Sequence, residues 1–227
     1  MRVAVLWSGG KESSLACHRV MAQGHDVSIL VTFVLNDWPY LCHPLSIMSL
    51  QSEALGIPHV ALSVAEPYKE AYRHSISSLI ATEGIQGIIT GDIWIEDHRR
   101  WMEDVCEGLG IQVIMPLWNE NTNDILDAVV SNGFRAVFTC VKEPWFDTDW
   151  LGRQLDGRRI EVLKSLHERF GIDMCGENGE YHTMVLDGPI FKHSIRIEEF
   201  TLDRKNSMLL LRTHRVSLQP RALRKDP

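Results

Sequence analysis

The chain of 227 residues is 44% apolar and 23% charged, with a formal net charge of -7. That composition describes a globular protein with enough length to bury one large core or two small ones. The negative balance argues against non-specific binding to nucleic acid or to an acidic membrane, and no apolar stretch approaches the length of a membrane span. The five cysteines, Cys17, Cys42, Cys106, Cys140 and Cys175, are an odd number without C-x-x-C spacing. Free thiols in a reducing compartment are expected, with neither a disulfide framework nor a zinc site. The opening apolar run is too short for a secretory signal, and a cytoplasmic location is expected.

In chain order, Val3 to Trp7 reads as a buried strand. Lys11 to Gln23 reads as a helix ending at Gly24, and Val27 to Leu35 as a second apolar, β-branched strand. Pro44 to Leu55 has helical spacing and stops at Gly56, with a strand from His59 to Leu62 after Pro58. Tyr68 to Thr82 is an amphipathic helix leading into Gly87 to Gly91. A helix near Asp97 to Leu109 then precedes a strand from Gln112 to Leu117. Strands that alternate with helices, and are apolar throughout, predict an α/β fold with a doubly wound parallel sheet.

Past Leu117 the pattern changes. Helices are expected over Asn121 to Ser131 and Arg158 to Phe170, and strands over Arg135 to Val141, Thr183 to Leu186, Ser194 to Leu202 and Met208 to Leu218, the last two forming a hairpin. The expected division is residues 1–117 as a nucleotide-binding domain and 118–227 as a second, smaller α/β domain. The basic tail from Arg221 to Lys225 reads as a solvated end.

Three stretches carry candidate chemistry. Ser8-Gly9-Gly10-Lys11-Glu12-Ser13 delivers a helix N-terminus at the carboxyl end of a strand. Amides left free by the first helical turn, a lysine and two hydroxyls make such a loop an anion site. It is neither a Walker A loop nor a G-x-G-x-x-G turn. Gly91-Asp92 opens a charged segment, Glu96-Asp97-His98-Arg99-Arg100, in which Arg99 is placed to clamp a phosphate or carboxylate. Gly176-Glu177-Asn178-Gly179-Glu180-Tyr181-His182-Thr183 concentrates glycines, carboxylates and a histidine just before a strand, suited to wrapping a ligand or orienting a nucleophile. In a doubly wound sheet the loops after Trp7, Leu35 and Gly91 are expected to converge, which adds Asp37 and His43 to the candidates.

The first loop resembles the Ser-Gly-Gly-Lys-Asp-Ser loop of the ATP pyrophosphatases. Taken with His43, Gln51 to Pro58 (Gln-Ser-Glu-Ala-Leu-Gly-Ile-Pro), Arg99, Trp150-Leu151-Gly152-Arg153, Leu155-Asp156, Gly176 to Thr183 and Leu186 to Pro189, the chain resembles the diphthine ammonia ligase family. The resemblance implies a fold like the adenine nucleotide alpha hydrolases, followed by a family-specific domain. It also implies a ligase that uses ATP with Mg2+ to activate a carboxylate, which ammonia or another amine then attacks, releasing AMP and pyrophosphate. Ser8, Gly9, Gly10, Lys11, Glu12, Ser13, Gly91 and Asp92 would hold the nucleotide. His43, Gly176, Asn178, Gly179 and His182 would line the acceptor site, and Lys11, Arg99, Glu177 and Glu180 would carry the chemistry. No protein metal ligands are assigned, and a second copy of the chain counts among the candidate partners.

Glu12 replaces the usual Asp of the loop, and Asn178 and His182 stand where diphthine ligases typically have Gly and Glu. The segment from Gly91 to Arg99 is more similar to relatives outside the organisms that make diphthamide. The resemblance therefore implies the reaction class and leaves the acceptor, elongation factor 2 included, open. A nucleotide-sensing module without turnover and an RNA-modifying enzyme built on the same loop stand as alternatives.

Overall fold

A computed structural model describes residues 1–35 and 42–221. The chain divides into two compact units. The first holds Met1–Ser8, the segment from Glu12 through the second strand, and Ile57–Glu120. Its sheet has five parallel strands in the order β3-β2-β1-β4-β5: β1 (Arg2–Leu6), β2 (Asp26–Leu35), β3 (His59–Val64), β4 (Gly87–Ile89) and β5 (Gln112–Ile114). Ile29 to Phe33 are buried without a break, as expected of a strand covered on both faces. One face carries Ala4, Val31, Phe33 and Ile88. Against them pack Ile76 and Leu79 of α3 (Tyr68–Glu83) and Met102 and Val105 of α4 (Glu96–Cys106).

Strand β1 lies between β2 and β4. The chain winds outward to β2 and β3, then returns to the other side of β1 at β4. This is the topological switch point, at whose carboxyl edge α/β sheets bind ligands. The loop that leaves β1 there leads directly into α1 (Lys11–Ala22).

The second unit holds Gly9–Lys11, α2 (Leu45–Leu55) with its flanks, and the chain from Asn121 onward. Its sheet is antiparallel, in the order β7-β6-β9-β8, with β6 (Ala136–Lys142), β7 (Tyr181–Val185), β8 (His193–Lys205) and β9 (Met208–Pro220). The expected hairpin of β8 and β9 is present. It turns at Asn206 and Ser207, where Asn206 adopts φ 56°, a left-handed conformation that asparagine tolerates. Helix α5 (Thr122–Ser131) is capped by Asn121, whose Oδ1 accepts from the Asn123 amide at 2.8 Å. Helix α6 (Gly157–Phe170) is capped by Asp156, whose Oδ1 accepts from the Arg159 amide at 2.9 Å.

Although α2 lies between β2 and β3 in sequence, it packs with β8 and β9. Its buried stripe is Ile47, Met48, Gln51, Ala54 and Leu55, and the Lys192 amide donates to Ala54 O at 2.6 Å. The expectation of a solvated Arg221 does not hold. Its guanidinium pairs with Asp187 at 3.1 Å and donates to Phe191 O at 2.7 Å, because the end of β9 brings it over that turn.

Candidate active site

In the first unit, the turns that follow β1 and β4 come together. The Ser8 hydroxyl donates to Ser13 Oγ at 3.2 Å. Gly91 is pressed onto the first turn of α1: a Cβ there would lie 2.9 Å from Ser13 N and 3.1 Å from Glu12 Cβ, so only glycine fits. Asp92 Oδ1 pairs with His98 Nδ1 at 3.0 Å. Arg99 is engaged on its own helix. Its guanidinium donates to Glu96 Oε2 at 2.9 Å and to Glu103 Oε1 at 2.7 Å, and it lies 5.6 Å from the centre of the Trp118 ring. Those hydrogen bonds, from Glu96 first, raise the already high pKa of Arg99, and the same contacts hold Glu96 at about 2. Asp37 lies outside the described residues.

In the second unit, Lys11 is the first residue of α1 and is only 2% exposed. Its ammonium donates to Cys175 O at 2.6 Å and lies 4.5 Å from the centre of the Tyr181 ring. A buried cation requires such compensation, here from a carbonyl dipole and an aromatic face. Its backbone amide donates to Thr183 Oγ1 of β7 at 3.3 Å.

Gly9 has φ +73°, and a Cβ on it would lie 2.3 Å from Gln51 Oε1. The Gly9 carbonyl accepts from Gln51 Nε2 at 2.9 Å and from the Val185 amide at 2.9 Å, while the same Gln51 amide also donates to Val185 O at 2.7 Å. The conformation of the glycine loop is therefore imposed by β7 and α2.

The glycine-rich turn beneath Lys11 is cross-braced. Asp173 Oδ1 accepts from the amides of Cys175 and Glu177, at 2.8 and 3.1 Å. Glu180, buried at 3% exposure, accepts from the Asp173 amide at 2.8 Å and the Asn178 amide at 3.0 Å. Its carboxylate thus holds the turn that presents Cys175 O to Lys11. Gly176 makes this possible at φ +80°, where a Cβ would meet Tyr181 O at 2.7 Å. Glu177 is half-buried, and Asn178 is exposed at the tip of the turn. Cys175 is buried, and its thiol donates to Thr122 O at 3.6 Å.

His43 and His182 meet edge to face, with His43 Nε2 and His182 Nδ1 3.2 Å apart. Burial first, and then the charge on Lys11, push His182 down to about 4, so it is neutral at physiological pH.

Gln51, Tyr181 and Thr183 lay inside motifs quoted from the sequence without being given a role of their own, and Asp173 was not singled out. Gln51 carried a signal, as a polar residue in the apolar stripe of α2. Among the described residues no group of three or more His, Cys, Asp or Glu side chains forms a metal site, and no helix is long and apolar enough to cross a membrane.

Residues 1–113 match the family described as the diphthamide synthase N-terminal domain, and residues 121–216 match the diphthamide synthase C-terminal domain. The diphthine–ammonia ligase of Rattus norvegicus is 29% identical over 223 residues, covering 87% of this chain and 83% of that protein. The Homo sapiens protein of the same name is 28% identical with the same coverage. A crystal structure described as a predicted subunit of tRNA methyltransferase from Methanocaldococcus jannaschii aligns at TM-score 0.45 and 18% identity, covering 83% of this chain and 98% of that one, a likeness too loose to build on. With both domains of one family matched in order along the chain, this protein belongs to the diphthamide synthase family.

Proposed function

We propose that this protein is an ATP-dependent ligase that forms AMP and pyrophosphate while activating a carboxylate for amidation. A carboxylate oxygen of the acceptor attacks the α-phosphorus of ATP, the bond to the β-phosphate bridging oxygen breaks, and pyrophosphate leaves with that electron pair. Ammonia then attacks the acyl carbon, AMP departs, and one proton is released as the amide forms.

The observation that carries this reading is Lys11. It is a buried cation at the first position of α1, directly after two glycines, with its loop shaped by Gln51 and its ammonium fixed over Cys175 O. In this assignment the loop of Ser8, Gly9, Gly10, Lys11, Glu12 and Ser13 receives the pyrophosphate, and Lys11 neutralises the charge that develops as it leaves. Pre-organisation matters because donors already in place need no reorganisation when the bond breaks. Gly91 and Asp92 belong to the nucleotide side. His43, His182 and the turn carrying Glu177 and Asn178 are assigned to the acceptor, with neutral His182 adding no positive charge beside Lys11. Glu180 acts as a positioning residue, and the names of the relatives support ammonia as the amine.

The test is product analysis after incubation with ATP, magnesium and ammonium, with and without a pooled extract as acceptor source. AMP and pyrophosphate that depend on the extract are expected. Lys11→Ala should lower their rate by about 100-fold or more, the size of effect expected for a lost transition-state contact. Formation of ADP and phosphate would overturn the assignment.

A further inference from the structure

The segment Trp150-Leu151-Gly152-Arg153 has no role in the proposed reaction, yet it is tightly held. The Phe138 amide donates to Arg153 O at 2.9 Å, the Gly152 amide to Phe138 O at 2.8 Å and the Leu155 amide to Ala136 O at 2.8 Å, so the segment is laid along β6. Gly152 turns it at φ +74°. Trp150 is wedged edge-on against Phe138 and Phe146, each with ring centres 5.0 Å away. Beside this segment begins α6, and the two border a concavity of about 420 Å³ lined by Asp149, Trp150, Arg153, Arg158, Arg159 and Val162.

Its charge is out of balance. Asp156 takes the Arg159 guanidinium at 2.8 Å. Of the other charged side chains lining the concavity, Asp149 is the one acid beside Arg153 and Arg158, and among the described residues neither arginine forms an ion pair. Arg153 Nε only touches Asp149 O at 3.3 Å. Moreover Arg158 and Arg159 occupy the first turn of α6, which contains no acid, although cations there oppose the helix dipole. A chain of net charge -7 has thus gathered three guanidiniums around one concavity, where like charges repel, and has set two of them against the dipole of α6. A ligand with more than one negative charge relieves both costs.

We infer that this concavity binds a nucleotide phosphate, free or within a strand, through Arg153 and Arg158 beside the Trp150 indole. A phosphate matches the arginine pair better than a single carboxylate, because it carries nearly twice the charge and offers more acceptors to planar guanidinium forks. The indole supplies a surface for the base, as aromatic side chains do in single-strand sites. The inference is independent of the ligase reading.

The experiment measures binding of UMP, which lacks the adenine of the proposed ligase product, and of a labelled oligouridylate eight-mer to the full-length protein and to Arg153→Ser/Arg158→Ser. Both arginines are exposed, so the double variant is expected to fold normally, which circular dichroism checks. Affinity for at least one ligand should fall about tenfold or more in the variant, and wild-type affinity should fall with added salt. Loss with both ligands identifies a free nucleotide as sufficient, and loss with the eight-mer alone identifies a strand. Unchanged affinity in the variant, no binding by wild type, or an oligoglutamate peptide binding where neither nucleotide does would each overturn the proposal.

Discussion

His182 stands close enough to the Lys11 ammonium to feel its charge. Its folded pKa, about 4, lies below the 6.5 of a free imidazole, with burial the larger cause and Lys11 the second. Between those values the unfolded chain binds the proton and the native protein does not. Stability is therefore full above pH 6.5 and is lost as the pH falls toward 4. Replacing His182 with Gln removes that loss. Urea unfolding at pH 7.5 and pH 5 should show the wild type losing about 2 kcal/mol more than the variant over this interval. His18 and His59 are also lowered by burial, so the comparison between proteins, rather than the wild-type curve alone, isolates His182. His182 and Lys11 both stood out in the sequence as candidates because of the motifs that hold them. The neutrality of His182, from burial first and Lys11 second, was not, since the fold alone buries the ring and brings the two together.

At the scale of elements, α2 decides the shape of the glycine loop. Gln51 is fully buried and donates to two carbonyls, Gly9 O and Val185 O. Gln51→Leu leaves Val185 O without that donor and should destabilise the protein by about 1–3 kcal/mol in chemical denaturation. Gln51→Glu keeps the shape but places an acceptor-only carboxylate against two carbonyl oxygens at neutral pH. It should be less stable than Gln51→Leu at pH 7 and recover in part at acid pH, where the protonated acid can donate again. Helical spacing alone revealed the existence of α2 and its Gly56 stop. Its partner was not readable, because a buried stripe states that a helix packs without stating against what.

For the molecule as a whole, the odd cysteine count predicted free thiols, and all five cysteines are free. Cys17, Cys106, Cys140 and Cys175 are buried, whereas Cys42 is half-buried. Burial pushes Cys17 up to about 12 and Cys106 to about 11. Cys42 is lowered, first by its hydrogen bond with Cys140 and then by Arg212. Thiolates are the reactive species, so a disulfide exchange reagent should titrate five thiols in denaturant and at most one rapidly in the native protein. Fewer than five in denaturant would reveal a disulfide.

The order and type of nearly every element followed from the residues themselves, since buried parallel strands must be apolar on both faces and helices must carry a 3.6-residue stripe. The placement of Ser8 to Ser13 as a glycine turn between a strand and a helix start followed as well, because the apolar run, the glycine pair and the helical spacing after Lys11 are all local signals. What the tertiary structure alone decided was how each polar group is used. Arg99 is engaged by Glu96 and Glu103, Glu180 braces its own turn, and Lys11 reaches Cys175 O across 164 residues of chain. Local sequence sets backbone preference over a few residues. The partner of a charged side chain is set by long-range packing, which brings distant carbonyls and carboxylates within hydrogen-bonding reach.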